Sequence, residues 1–192
     1  MKLRAIASAV LMALAAGAQA AVVFSDDFDA NPGGLNTVPA GWTVTDGTVD
    51  VVGASFCVAG LCVDLDGSTG NAGVLSRSFD LTGGVEYTAS FDLSGNKRGG
   101  TDDVTIQFGT QSLALTGVAA ADAYATFSIA FTPGADGSYV LSFSNAGGDN
   151  VGTLLDNVVI ESGTVPIPEP AAFLLMGLGL AALGGWTRRR GA

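Results

Sequence analysis

The chain has 192 residues, a formal net charge of −10 and no histidine. The missing imidazole excludes Ser-His-Asp and Cys-His nucleophilic machinery and histidine-based metal sites. Between residues 21 and 165 the basic residues are Arg77, Lys97 and Arg98, set against seventeen Asp and Glu. Such a surface repels nucleic acid and attracts hard cations, calcium above all, although solubility alone accounts for most of the acids.

Residues 1–20 read as a secretory signal peptide. Lys2 and Arg4 form a positive start and Ala5–Gly17 an apolar stretch. Ala18-Gln19-Ala20 is a small-x-small cleavage pattern that places the cut between Ala20 and Ala21. An exported domain of about 140 residues comes next, over 21–162, long enough for a two-layer core.

Within that domain, strands are expected near 22–28, 42–45, 49–52, 61–65 and 73–81. The two cysteines, Cys57 and Cys62, flank a Gly-containing turn between the third and fourth of these. Export makes a disulfide between them the expectation, and so small a loop contributes roughly 2 kcal/mol. Clear period-2 alternation continues in Tyr87-x-Ala89-x-Phe91-x-Leu93, Val104-x-Ile106-x-Phe108, Phe127-x-Ile129-x-Phe131 and Tyr139-x-Leu141-x-Phe143. Turn chemistry bounds these runs, as in Ser94-Gly95-Asn96, Thr132-Pro133-Gly134 and Asn145-Ala146-Gly147-Gly148. A last strand covers 154–161. About ten short strands, each with one apolar face, make an all-β, two-sheet antiparallel sandwich.

Three features of the domain invite a functional reading. On a strand, Asp156 shares a face with Val158 and Ile160, and Asp26 with Phe24 and Phe28, so both carboxylates should turn inward, which is costly unless they are paired, protonated or bound to metal. A sugar site needs exposed aromatic and polar groups together; Tyr124, in the segment 119–125, and Asp149 and Asn150, in the Gly147–Gly152 loop, are the candidates, each with a commonplace turn reading beside it. Trp42 beside Gly41 reads as core, and Lys97-Arg98-Gly99-Gly100 as a solvated hairpin tip. Glu86 and Glu161 lie in no catalytic motif, so a two-carboxylate glycosidase is the weakest of the readings and no catalytic residue is assigned.

The C-terminal part has three segments in order. Residues 163–170 end in Val165-Pro166-Ile167-Pro168-Glu169-Pro170, which cannot be helical because each proline removes a donor and restrains its predecessor. Residues 171–187 are apolar and uncharged, and at ~1.5 Å per residue they reach roughly 26 Å, the lower limit for a transmembrane helix. Residues 188–192 carry Arg188, Arg189 and Arg190, which the positive-inside rule keeps cytoplasmic, so the domain faces outward.

The ordered set of Pro168-Glu169-Pro170, apolar span and arginine cluster resembles the PEP-CTERM sorting signal. The resemblance implies recognition and processing by an exosortase-type membrane transpeptidase, and passage from an inner-membrane-anchored precursor to the surface or matrix of a Gram-negative bacterium that makes extracellular polysaccharide. The domain itself resembles carbohydrate-binding jelly-roll modules, through Phe24-Ser25-Asp26-Asp27-Phe28-Asp29, Gly41-Trp42-Thr43-Val44 and Leu155-Asp156-Asn157-Val158-Val159-Ile160. That resemblance implies neighbouring first and last strands and a structural Ca2+, with Asp26 or Asp29 and Asp156 as ligands; Asp64 and Asp66 are weaker candidates. Two function classes stay open: a non-catalytic module that binds exopolysaccharide, and a self-associating structural protein without ligand.

Overall fold

The computed structural model describes residues 20–163. The expected signal segment up to residue 19, the Pro-Glu-Pro linker, the apolar span and the basic tail lie outside the described residues. Among the described residues no helix is long and apolar enough to cross a membrane.

Eleven strands form two antiparallel sheets: β1 (Ala21–Asp26), β2 (Thr43–Thr45), β3 (Asp50–Gly53), β4 (Leu61–Asp64), β5 (Val74–Leu81), β6 (Tyr87–Ser94), β7 (Thr101–Phe108), β8 (Gln111–Ala119), β9 (Ala125–Phe131), β10 (Gly137–Asn145) and β11 (Leu154–Ser162). The first sheet runs β3-β4-β11-β6-β9, and the second runs β2-β5-β10-β7-β8. Every strand lies near one expected from the sequence except β8. Its inward residues Leu113 and Leu115 are only half-buried, because it is the edge strand of the second sheet.

The first and last strands are neighbours: β1 pairs with β11 from Ala21↔Ser162 to Asp26↔Val158. On the same edge of β11, the preceding stretch Leu154–Leu155 pairs instead with β4. The changeover falls at Asp156-Asn157, where the β11–β6 ladder slips: Asp156 faces Asp92, yet Val159 faces Ser90. One extra residue is accommodated there, and Asn157 takes a positive φ of 50°. This is a β-bulge, and it inverts the side-chain parity across it.

Between the sheets lies a core rich in aromatic rings. Trp42 stacks at tilted or edge angles against Phe24, Phe28 and Phe143, with centroids 6.0, 5.9 and 6.1 Å away, and Phe143 meets Phe91 at 5.1 Å. Such rings supply much of the burial that drives folding and add geometric preference of their own. The first strand ends sooner than its composition suggests. Asp26 Oδ1 accepts from Phe28 N at 2.9 Å, an Asx turn that stops the strand and sends Phe28, at φ 57°, into the core.

Candidate functional site

The outer faces of the two sheets have opposite chemistry. On the second sheet, register aligns Thr43, Ser76, Ser142, Gln107 and Ser112 in one row across all five strands. The neighbouring row is Thr45, Val74, Ser144, Thr105 and Ala114. With strands ~4.8 Å apart, each row spans about 19 Å. Their partners on the alternate face, among them Leu75, Ile106, Leu141 and Phe143, fill the core, so strict alternation presents these hydroxyls and the amide to solvent. No charge falls in either row; the outward acids Asp80 and Asp103 lie beyond them, at opposite ends of the face.

The outer face of the first sheet is acidic and partly roofed. One row holds Asp50, Asp64, Leu154 and Ser94, all buried; the next includes Asp156, Asp92 and Thr126. The roof is made of the disulfide turn, the 95–100 segment and the 120–124 segment. Cys57 and Cys62 are bonded to each other, as export leads one to expect. Leu61 N at the end of that turn donates to Asp29 Oδ1 at 2.6 Å. Gly60 permits this contact twice over: its φ is +52°, and a Cβ there would lie 1.7 Å from Asp29 Oδ1. Arg98 pairs with Asp64 and lies over the Phe56 ring at 5.5 Å. Lys97 Nζ donates to Asp122 O at 2.6 Å. Lys97 and Arg98 stay exposed, as expected of a solvated turn, but the turn links β6 and β7 of different sheets rather than a hairpin.

Tyr124 belongs to the same roof and is half-buried. Its hydroxyl donates to Phe56 O at 3.2 Å, and Lys97 Nζ lies 5.7 Å from its ring centre. Burial pushes its phenol up to about 12. Asp149 and Asn150 sit on the exposed β10–β11 loop, Asn150 at φ 65°, and among the described residues no hydrogen bond joins them to Tyr124. A groove of about 490 Å³ does open along the edge between β8 and β9, lined by Leu115, Val118, Ala125 and Phe127 among others, but by none of these three.

The expected calcium ligands Asp26 and Asp156 turn to different partners. Asp26 commits both oxygens to protein donors, Phe28 N and, at 2.8 Å, Trp42 Nε1. Asp156 is 4 % exposed, as expected for a costly buried carboxylate, but the bulge turns it to the outer face opposite Asp92 rather than toward the core with Val158 and Ile160. There its Oδ1 accepts from Asn157 N at 2.7 Å. Burial holds its carboxyl up at about 6, with Asp29, Asp92 and Asp27 adding to the rise against that hydrogen bond. Asp29 thus lies in the field of Asp156, whereas Asp26 faces Trp42. Among the described residues no three carboxylates or cysteines converge as a metal cluster. Neither buried side-chain oxygen left without a partner among the described residues belongs to Asp26, Asp29 or Asp156.

Burial raises two further carboxyls. Asp64 rises to about 7, because desolvation outweighs Arg98 and the N–H groups of Asp66 and Gly152. Asp102 is raised by burial against hydrogen bonds from Asn96 and Asn145. The sequence marks Asp64 only as a weaker calcium candidate and Asp102 not at all, since their partners are distant: Arg98 is 34 positions from Asp64, and Asn145 is 43 from Asp102.

Residues 166–190 match the PEP-CTERM protein-sorting motif. No curated protein matches the chain. Among solved structures, the CBM22-1 xylan-binding domain from Paenibacillus barcinonensis superposes with a TM-score of 0.53 at 15% identity, covering 79% of this chain and 99% of that one. The CBM22-1-GH10 modules of a Clostridium thermocellum endo-1,4-beta-D-xylanase, complexed with xylohexaose, give 0.50 at 18% identity, over 76% of this chain and 29% of that one. An arabinose-bound α-L-arabinofuranosidase gives 0.51 at 13% identity, over 72% of this chain and 26% of that one. At these identities the likeness is one of fold, a CBM22-like β-sandwich.

Proposed function

We propose that this is a non-catalytic, exported protein of the Gram-negative cell surface or extracellular matrix, delivered through an exosortase-type transpeptidase, whose sandwich holds a neutral extracellular polysaccharide on the outer face of the second sheet. The sorting motif at 166–190 supports the route. The observation that carries the ligand reading is the row Thr43, Ser76, Ser142, Gln107 and Ser112. A protein with seventeen acids between residues 21 and 165 keeps two adjacent rows of one five-strand face free of charge and fills the first with groups that both donate and accept hydrogen bonds. Uncharged polyols match that chemistry, and a flat row lets successive sugar units repeat the same contact. The xylan-binding and xylohexaose-bound neighbours make the scaffold a fitting one, by analogy of fold.

The test is affinity electrophoresis of the protein in gels containing neutral or uronate-bearing polysaccharide, including that of the producing bacterium. Retardation by a neutral polymer, weakened about tenfold in the double variant Gln107→Ala/Ser142→Ala without a change of melting temperature, is the expected result. Unretarded migration in every gel would defeat the ligand reading. If sedimentation then showed concentration-dependent association lost in the same variant, the face would join copies of the chain instead.

A further inference from the structure

Among the described residues, two buried side-chain oxygens have no hydrogen-bond partner, Asp66 Oδ1 and Thr153 Oγ1. Both residues are 0 % exposed. Orphaned buried oxygens are rare in folded proteins and call for a partner. These two belong to one polar cluster that closes the end of the sandwich beneath the β10–β11 loop.

Short bonds tie the cluster together. Gly148 N donates to Asp66 Oδ2 at 3.1 Å. Leu65 N donates to Thr153 O at 3.1 Å, which seats Thr153 beside the residue preceding Asp66. Thr153 N donates to Asn145 Oδ1 at 3.2 Å, and Asn145 Nδ2 donates to Asp102 Oδ1 at 3.3 Å. Asn96 Nδ2 donates to Asp102 Oδ2 at 2.8 Å. Glycine is required where the loop crosses the carboxylate: a Cβ on Gly147 would lie 2.8 Å from Asp66 Oδ2, and one on Gly152 would lie 2.3 Å from Asp66 N.

The cluster also lacks positive charge. Asp66 and Asp102, at 0 % and 5 % exposed, lie within each other's field. The three basic side chains between residues 21 and 165 are engaged elsewhere: Arg77 over the Phe24 ring, Lys97 on Asp122 O and Arg98 on Asp64. Two buried carboxylates with no cation beside them repel, and hydrogen bonds offset only part of their desolvation cost.

We propose that a hard divalent cation, calcium, binds here, held by Asp66 Oδ1, Thr153 Oγ1 and the Asp102 carboxylate, with backbone carbonyls of the glycine-rich 146–152 loop. Calcium takes six to eight oxygens and accepts such a mixed set, whereas a site of three converging carboxylates is not needed. The single hydrogen bond on each Asp102 oxygen leaves lone pairs free for the ion. The ion would bind the loop, the segment that follows β4, and β7 to one another and so lock this end of the sandwich.

The experiment uses the full chain, purified in mild detergent, melted in calcium and in chelator, with metal content measured after dialysis. Calcium should raise the wild-type melting temperature by several degrees. Asp66→Asn should lose that rise and, in chelator, melt above the wild type, since it removes a buried charge. Thr153→Val keeps the shape and should raise the calcium concentration at half-effect about tenfold; it carries the test if Asp66→Asn does not fold. Asp156→Asn should keep the full rise. Wild-type melts that coincide in the two buffers, a full rise in Asp66→Asn, an unchanged half-effect in Thr153→Val, or a rise lost only in Asp156→Asn would each overturn the site.

Discussion

The guanidinium of Arg98 pairs with the carboxylate of Asp64, which is 1 % exposed, while Arg98 itself remains 34 % exposed. The pair fastens the 95–100 segment to the outer face of the first sheet, 34 positions away in sequence. Its removal leaves a buried carboxylate without its cation. Arg98→Met should therefore destabilise the domain by about 1–3 kcal/mol, more than a surface substitution costs and less than a fully buried pair would. Chemical denaturation with an unchanged slope would register it; a loss within about 0.5 kcal/mol would show that water, not Arg98, compensates Asp64.

The raised carboxyls set the pH dependence. Asp64, near 7, and Asp156, near 6, both titrate above the ordinary value of 3.8, chiefly through burial. Between the ordinary and raised values the folded state holds protons that the unfolded state has lost. Stability then falls as pH rises through that window, the reverse of a salt-bridged carboxylate. In chelator, the melting temperature should be several degrees higher at about pH 5 than at about pH 8. Asp64→Asn should flatten the part of the curve near pH 7. A melting temperature that climbs steadily from pH 5 to pH 8 would mean that the Arg98 pair dominates.

Strands β6, β7, β9 and β10 are legible in the sequence because each buries one face and exposes the other, so Phe91, Ile106, Ile129 and Leu141 alternate with polar neighbours. Strand β8 is not, since an edge position leaves Leu113 and Leu115 half-buried and weakens the period. For Asp156, alternation predicts burial correctly but on the wrong face. Its parity depends on the φ of Asn157, and asparagine tolerates that conformation without requiring it. The pairings that build the candidate sites join distant positions: Asp29 with Leu61, Asp64 with Arg98, Asp102 with Asn145. Alternation along a strand carries no information about which strand lies beside it, so the hydroxyl row of the second sheet emerges only from the register of five strands.

The bond between Cys57 and Cys62 closes the turn that carries Leu61 N to Asp29. Thiol labelling of the unfolded, unreduced domain should find no free cysteine. The double replacement Cys57→Ser/Cys62→Ser should cost about 2 kcal/mol, the entropy of so short a loop. A cost near zero would show that Asp29 and the Tyr124–Phe56 contact hold the turn without the bond.

The PEP-CTERM motif covers residues 166–190. Its sequence places Pro168-Glu169-Pro170 just ahead of the uncharged residues 171–187, which three arginines follow. On the proposed sorting route the arginines would stay cytoplasmic and the tripeptide would lie at the outer surface, within reach of a membrane transpeptidase. Mature protein from the native bacterium should therefore lack both residues 1–20 and most of the segment after Pro170. Intact-mass measurement decides this, with a strain lacking the transpeptidase as the control that retains the tail. Replacing Arg188, Arg189 and Arg190 together by glutamine should slow processing, because the span then loses its cytoplasmic stop. A native mature chain that still ends in Gly191-Ala192 would make the segment a lasting membrane anchor rather than a signal that is removed.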